Sequence, residues 1–479
     1  MSNTTVNSEL ATCRLRHGLN DDCLLHVMEY LDDSDLLNLF AIDSYYKDLA
    51  LKWTIKQKRL NFRPWTPENQ HWFGTFGKSM RKVKIFSGQF VSTIRTIMRT
   101  CEPGQLSEID MTVQDGGGIL KRDDATESLF NLTLQAMPFF SNLRKFKFGA
   151  YCDADQRGVC TNLLTQISTN AVNLRSVEIG QLEVRGDWLR NMRKLEELRI
   201  TWKKNSSFDT LISCLKEMPK LKVFKLVHQV ADVASVYNAL AESCPNLETF
   251  SDEDRTLSSY QNYHNFDDSL TSRYAFLSKL SNLSYVTLTT YTLCGSDLYY
   301  PLVSLASKNI VKLTIVTSLT EPIVLDKKAK AEVMGRPLPQ FGRLKSVKFD
   351  IATPNVRNVV SFDRKWTRCD LRCQFLFHFL RHVTSVQHFE LAGSSLTHID
   401  KIVEHMPTIR VLDLSETNSF EICKAVTNIV NIVLGSRPSD SGTFNIILED
   451  EERVQLFKKR NHLEDNINFT FTTRNRWNK

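Results

Sequence analysis

A six-residue pattern recurs along most of this chain and limits what it can become. The pattern is L-x-x-L-x-L, with other apolar residues admitted at the Leu positions. Its clear copies begin at Met80, Leu106, Leu143, Leu174, Leu195, Leu221, Leu283, Ile310, Leu344, Val386 and Ile409, and a degenerate copy, LETFSD, begins at Leu247. Most are preceded by Asn, Lys or Arg, and several by a proline lead-in, such as Pro219-Lys220-Leu221 and Pro245-Asn246-Leu247. The last two apolar positions of each copy alternate, so they point to one side of a short strand. Helical sequence fills the gaps, as in TNLLTQIST before Leu174 and VASVYNALAES before Leu247. No single copy can bury its apolar face. A stack of about twelve, with strands parallel and helices outside, makes one continuous core.

Starts lie 21 to 42 residues apart, mostly in or just above the range of about 20–29 residues that leucine-rich repeats occupy. The position after the strand lacks a regular Asn, being Gln114, Tyr151, Leu182, Lys203, Tyr291 or Thr417, so the expected horseshoe is irregular. A Rossmann-like fold is the rival architecture. No G-x-G-x-x-G follows a strand, and twelve similar strands are too many for it. Longer insertions fall at 252–280, 318–342 and 350–370. Such insertions serve either as binding loops on one rim or as tolerated surface loops.

Residues 19–50, LNDDCLLHVMEYLDDSDLLNLFAIDSYYKDLA, do not share the pattern. They carry eight acidic side chains and one Lys, whereas residues 51–100 carry eleven Lys and Arg against the single acid Glu68. Blocks of this kind form solvated faces or steer association. Leu24, Val27, Met28 and Leu31 recur at helical spacing. Ser34 or Asp35 can cap a second helix and Asp43 a third. Three helices in about 35 residues bury too little surface to stand alone. Two readings follow, a cap for the repeat array or a module completed by a partner.

The residue classes and spacing of this segment resemble an F-box. Leu19 stands at the leading Leu and Asp22 at the acid. Cys23-Leu24 take the apolar pair, Val27-Met28 the Ile-Phe pair and Tyr30-Leu31 the aromatic-Leu pair. Asp35-Leu36 match outright, Ile42 takes the Val position and Tyr46 the Trp position. Asn20 stands in place of the Pro, and Asp43 in place of a small Cys or Ser. The resemblance implies that Leu19, Asp22, Leu24, Val27, Met28, Leu31, Asp35, Leu36, Ile42 and Tyr46 contact the Skp adaptor of a cullin–RING ubiquitin ligase, in the helix-in-groove manner.

The resulting expectation is an α/β fold in which a small three-helix F-box precedes an irregular leucine-rich-repeat solenoid. Its boundaries are a disordered 1–18, a helical F-box-like domain at 19–55, a basic helical connector at 56–79, and about twelve repeats with a C-terminal cap at 80–479. The implied role is that of an SCF-type substrate-recognition subunit which recruits an unidentified protein for ubiquitination and does no chemistry itself. The alternative is a leucine-rich-repeat scaffold or RNA-associated adaptor whose head is only a helical cap.

Residues alternating with the buried strand positions mix eight basic and six acidic side chains. This is not the continuous basic stripe with aromatics that nucleic acid requires. Lys145, Lys147, Arg199 and Lys225, with Lys348 further along, are the candidate substrate contacts. No cofactor or metal is expected. Cys369, Cys373, His378 and His382 have metal-ligand residue types, but on one helix the two histidines fall opposite the two cysteines. Asp115-Gly116-Gly117-Gly118 before Lys121-Arg122 lacks the GK[ST] ending of a phosphate loop. No G-x-S-x-G or H-E-x-x-H occurs. No apolar run spans a bilayer and no signal-peptide pattern opens the chain. Eleven irregularly spaced cysteines suit a reducing compartment, which places the expected location in cytoplasm or nucleus.

Overall fold

The computed structural model describes residues 20–28, 30–31, 33–42, 45–50, 60–62, 77–85, 90–112, 126–149, 157–180, 186–202, 208–228, 233–254, 273–290, 296–318, 340–352, 379, 383, 385–393, 403–404, 406, 408–417, 429, 443–448, 455, 458–459 and 469–473. The chain divides into two compact units, Met1–Leu195 and Glu196–Lys479. The first holds helices α1 (Asp21–Met28), α2 (Asp33–Ile42), α3 (Phe90–Thr100), α4 (Thr126–Phe140) and α5 (Arg157–Asn170). Its strands β1 (Leu60–Phe62), β2 (Lys82–Ile85), β3 (Glu108–Thr112), β4 (Lys145–Gly149) and β5 (Ser176–Gly180) pair in chain order, all parallel.

The second unit repeats the scheme. Strands β6 (Glu197–Trp202), β7 (Val223–His228), β8 (Thr249–Asp254), β9 (Tyr285–Thr290) and β10 (Lys312–Ser318) are followed by β11 (Ser346–Ala352), β12 (His388–Gly393), β13 (Val411–Thr417), β14 (Phe444–Leu448) and β15 (Phe469–Thr473). They too pair in order and in parallel. Helices α6 (Asp209–Leu215), α7 (Ala234–Ser243) and α8 (Ser296–Ala306), with a 3-10 turn at Ala275–Lys279, fill the return segments.

All twelve motif copies lead into a strand two residues after their start. The first and fourth motif positions are buried in every copy. For the copy at Leu221 these are Leu221 and Phe224, with Leu226 buried at the sixth. The strand positions between them stay half-buried or exposed, as in the alternation along β5.

Within each unit one main-chain device locks successive repeats together. The carbonyl of the second motif residue accepts two N–H groups, from the second and third residues of the next copy. Lys222 O thus accepts from Glu248 N at 2.8 Å and Thr249 N at 2.9 Å, and Lys345 O from Gln387 N and His388 N at 2.9 and 3.0 Å. The residue before several motifs adds a side-chain strap to the previous repeat. Asn142, Asn246 and Asn282 donate through Nδ2 to the carbonyls of Gly104, Pro219 and Pro245. Gly104 has φ +74°, and a Cβ there would come within 2.9 Å of Asn142 Nδ2. Glycine alone allows both the turn and the strap.

The expected head-plus-horseshoe architecture is corrected by these observations. The described residues form an all-parallel α/β array, and no three-helix F-box is evident among them. The N-terminal stretch holds two bounded helices, of eight and ten residues, with a further helical run at 45–50. Met28 is the only buried residue of α1, and Val27, Tyr30 and Ile42 are exposed. Within the segment expected to be a helical connector, Leu60–Phe62 is strand β1. Strands β14 and β15 carry no recognisable copy of the motif. Among the described residues no helix is long and apolar enough to cross a membrane.

Phe250 anchors the second unit, fully buried between Tyr237 at 5.1 Å and Phe276 at 5.0 Å between ring centroids. Phe250→Ala should cost about 3–5 kcal/mol of unfolding free energy in urea titration. Val172→Ala, at an exposed position, should stay within about 0.5 kcal/mol.

Candidate functional site

The N-terminal helices owe their start to Asn20. Its Oδ1 accepts from Cys23 N at 2.8 Å, while its carbonyl accepts from Leu24 N at 3.0 Å. That is an N-cap, and Asp21 and Asp22 place negative charge on the first turn, where the helix dipole favours it. The departure from the F-box pattern at this position thus exchanges a proline for a capping side chain. Tyr45 donates to Asp21 Oδ1 at 2.6 Å, tying the helical run at 45–50 to α1. Of the ten residues that the resemblance singled out, Met28 and Tyr46 are buried and Leu24 and Leu31 half-buried, while Asp22, Val27, Asp35 and Ile42 are exposed. Leu36 lies in α2, and Leu19 falls outside the described residues. Val27 is 45% exposed, Ile42 52% and Tyr30 78%. These three large apolar or aromatic side chains lie within sixteen residues on an acidic background.

The strand face carries charge differently from a basic patch. Lys145 and Arg199 are exposed, but the other three candidate lysines are in ion pairs. Lys147 meets Glu178 at 2.9 Å, Lys225 meets Glu253 at 2.5 Å and Lys348 meets Glu390 at 2.7 Å. The parallel register makes Glu178 the strand partner of Lys147 and Glu390 that of Lys348. It likewise pairs Lys82 with Glu108, 3.4 Å apart. Opposite charges on neighbouring strands neutralise one another. Cys369, Cys373, His382 and the glycine run at 116–118 lie outside the described residues, as does His378.

The degenerate motif at Leu247 holds the most heavily connected cluster. Its sixth position, apolar in the clear copies, is Asp252, which is fully buried. Asp252 Oδ1 accepts from Tyr237 OH at 2.7 Å and lies 2.9 Å from His228 Nε2. Oδ2 accepts from Tyr274 OH and pairs with Arg273 Nη2 at 2.6 Å. Arg273 Nη1 reaches Asp254 Oδ2 at 3.0 Å, and Thr289 Oγ1 donates to the Asp252 carbonyl at 2.7 Å. His228 Nε2 is also 2.6 Å from Arg273 Nη2. It can donate to Asp252 or accept from Arg273, not both at once.

Burial alone would raise the Asp252 carboxyl, but the Arg273 guanidinium and the His228 contact hold it well below the usual carboxylate range. Burial, reinforced by the Asp252 charge, pushes the Tyr237 and Tyr274 phenols up, so both remain donors. The side chains of the cluster are buried. It holds together β7, β8, β9 and the turn at Ala275–Lys279. Sequence reading passed over it, although an Asp at an apolar motif position was a visible signal.

A second cluster lies further along the strand face. His388, Glu390 and Asp413 each bring one donor atom within 4.8 Å of the others, and these residues could hold a metal ion. No family model matches this sequence, and no curated protein matches it.

Because the Asp252 carboxyl titrates lower folded than unfolded, its contribution to stability is present above about pH 4 and is lost as pH falls below that. The unfolding midpoint of the wild type should drop with acid in that window. Asp252→Asn should flatten the dependence and, by leaving Arg273 without its main counter-charge, cost about 3–5 kcal/mol at neutral pH. Pairing Asp252→Leu with Arg273→Met should recover part of that loss in a double-mutant cycle.

Proposed function

We propose that this chain is a non-catalytic recognition subunit of a cullin–RING ubiquitin ligase, in which the N-terminal helices dock a Skp-type adaptor and the strand array holds a protein to be ubiquitinated. The observation that carries the reading is the exposure of Val27, Tyr30 and Ile42 on α1, on α2 and between them. Apolar side chains clustered on a small helical segment are surface that a partner groove can bury. The F-box-like spacing of the same segment supports a Skp-type groove as that partner. The acidic character of residues 19–50 would steer the encounter.

The strand array would act by proximity, holding cargo where a ubiquitin-charged enzyme can reach it. The ion pairs of Lys147, Lys225 and Lys348 favour protein over nucleic acid as cargo, because a phosphate backbone needs unneutralised cations. Cytoplasm or nucleus fits this role. The buried cysteines Cys101, Cys160, Cys214 and Cys244 agree with it, and burial pushes Cys101 up to about 11 and Cys244 to about 12.

The test is binding of the full chain to a purified Skp-type adaptor by size exclusion and calorimetry. The wild type should form a stoichiometric complex. Val27→Glu with Ile42→Glu should weaken it at least about tenfold while leaving the thermal midpoint unchanged, because both positions are already solvated. A wild type that fails to bind, or a double variant that binds equally well, overturns the proposal.

A further inference from the structure

His388 and Glu390 stand two residues apart on β12 and so share one strand face. The register sets Asp413 of β13 directly beside Glu390 and Lys348 of β11 on its other side. One donor atom from each of His388, Glu390 and Asp413 lies within 4.8 Å of the other two. Both carboxylates are only 4% exposed, which separates them from the solvated acids common on protein surfaces.

The surroundings hold these groups in place. Asp413 Oδ1 accepts from Ser415 N at 3.0 Å and from Ser415 Oγ at 2.6 Å. The β12–β13 pairing slips by one residue between Glu390 and Ala392, and a bulge of this kind re-aims the side chains beside it. Asp350, two residues from Lys348 and on the same side of β11, adds another acid to this stretch of the strand face, and Lys348 Nζ lies 2.7 Å from Glu390 Oε1. Two adjacent buried carboxylates repel each other unless a positive charge lies between them.

We propose that His388, Glu390 and Asp413 form a binding site for a divalent transition-metal ion of the zinc class, and that Lys348 is the resident cation the metal displaces from Glu390. An imidazole with two carboxylates suits zinc or its neighbours better than calcium or magnesium, which take oxygen ligands. Three protein ligands leave a coordination position for water or for a donor from a bound molecule. The site is independent of the N-terminal helices, so adaptor binding neither requires it nor reports on it.

The full-length protein, stripped with a chelator, is titrated with zinc against a chromophoric competitor, with the thermal midpoint followed in parallel. The wild type should bind one zinc per chain at this site and gain thermal stability on doing so. His388→Gln and Asp413→Asn should each weaken that binding at least about tenfold. Lys348→Met should bind zinc more tightly than the wild type, because the competing ammonium is gone. If Lys348 only neutralises a structural acid pair, Lys348→Met will lower the midpoint of the metal-free protein and leave zinc affinity unaltered, and the proposal fails. Absence of zinc binding overturns it too, as does binding that neither His388→Gln nor Asp413→Asn changes. Circular dichroism identifies any variant that does not fold. If His388→Gln or Asp413→Asn does not fold, the other and Lys348→Met still predict shifts of opposite sign; if Lys348→Met does not fold, both ligand variants must weaken zinc binding for the proposal to stand.

Discussion

A single carbonyl per repeat, shared between two amides of the next, is what the rest of this structure depends on. It sits at the second motif residue and recurs from Arg81 through Gln387 within each unit. Because the acceptor and both donors hold fixed motif positions, each repeat is set against its neighbour without slippage. A shift of one residue would turn every buried strand position outward. The apolar first, fourth and sixth positions then stack into a continuous core, and the positions between them align in columns across the strands. The Asn142, Asn246 and Asn282 straps reinforce the same spacing from the turn.

Those columns explain the electrostatics. Lys147 beside Glu178 and Lys348 beside Glu390 are consequences of register, and they convert an apparent basic patch into neutral pairs. The same alignment brings His388, Glu390 and Asp413 together. Where the pattern fails, at Asp252, the structure must supply charge and donors inside the core. A buried carboxylate without them would cost several kcal/mol. Arg273, His228, Tyr237 and Tyr274 supply them, drawn from three separate segments.

The N-terminal helices follow a different logic. They are capped by Asn20 and tied through Tyr45 to Asp21, but they keep apolar side chains in solvent. Short helices with little buried surface depend on packing against something larger. Met28, Tyr46, Leu49 and Ala50 turn inward, while Val27, Tyr30 and Ile42 remain as the surface on which the proposed adaptor contact rests.

Much of the array was legible in the sequence. Twelve strands follow from the motif, since alternation of apolar residues over so short a distance has few other solutions. Spacing put Val27 in an apolar helical stripe and only the F-box resemblance singled out Ile42, while strands β1, β14 and β15 were not read, because their sequences lack a full copy of the pattern. The expected three-helix head failed because helix-forming sequence does not say whether helices close on each other. Twelve strand positions, the parallel α/β class and the inward-facing residues of those strands could be read along the chain, because each depends on near neighbours. That Lys348 neutralises Glu390, and that His228, Asp252 and Arg273 share one buried network, emerged only on folding. Those residues lie 21 to 45 positions apart, and partners at that separation are chosen by strand register and by the packing of return segments on the strands, which no local pattern encodes.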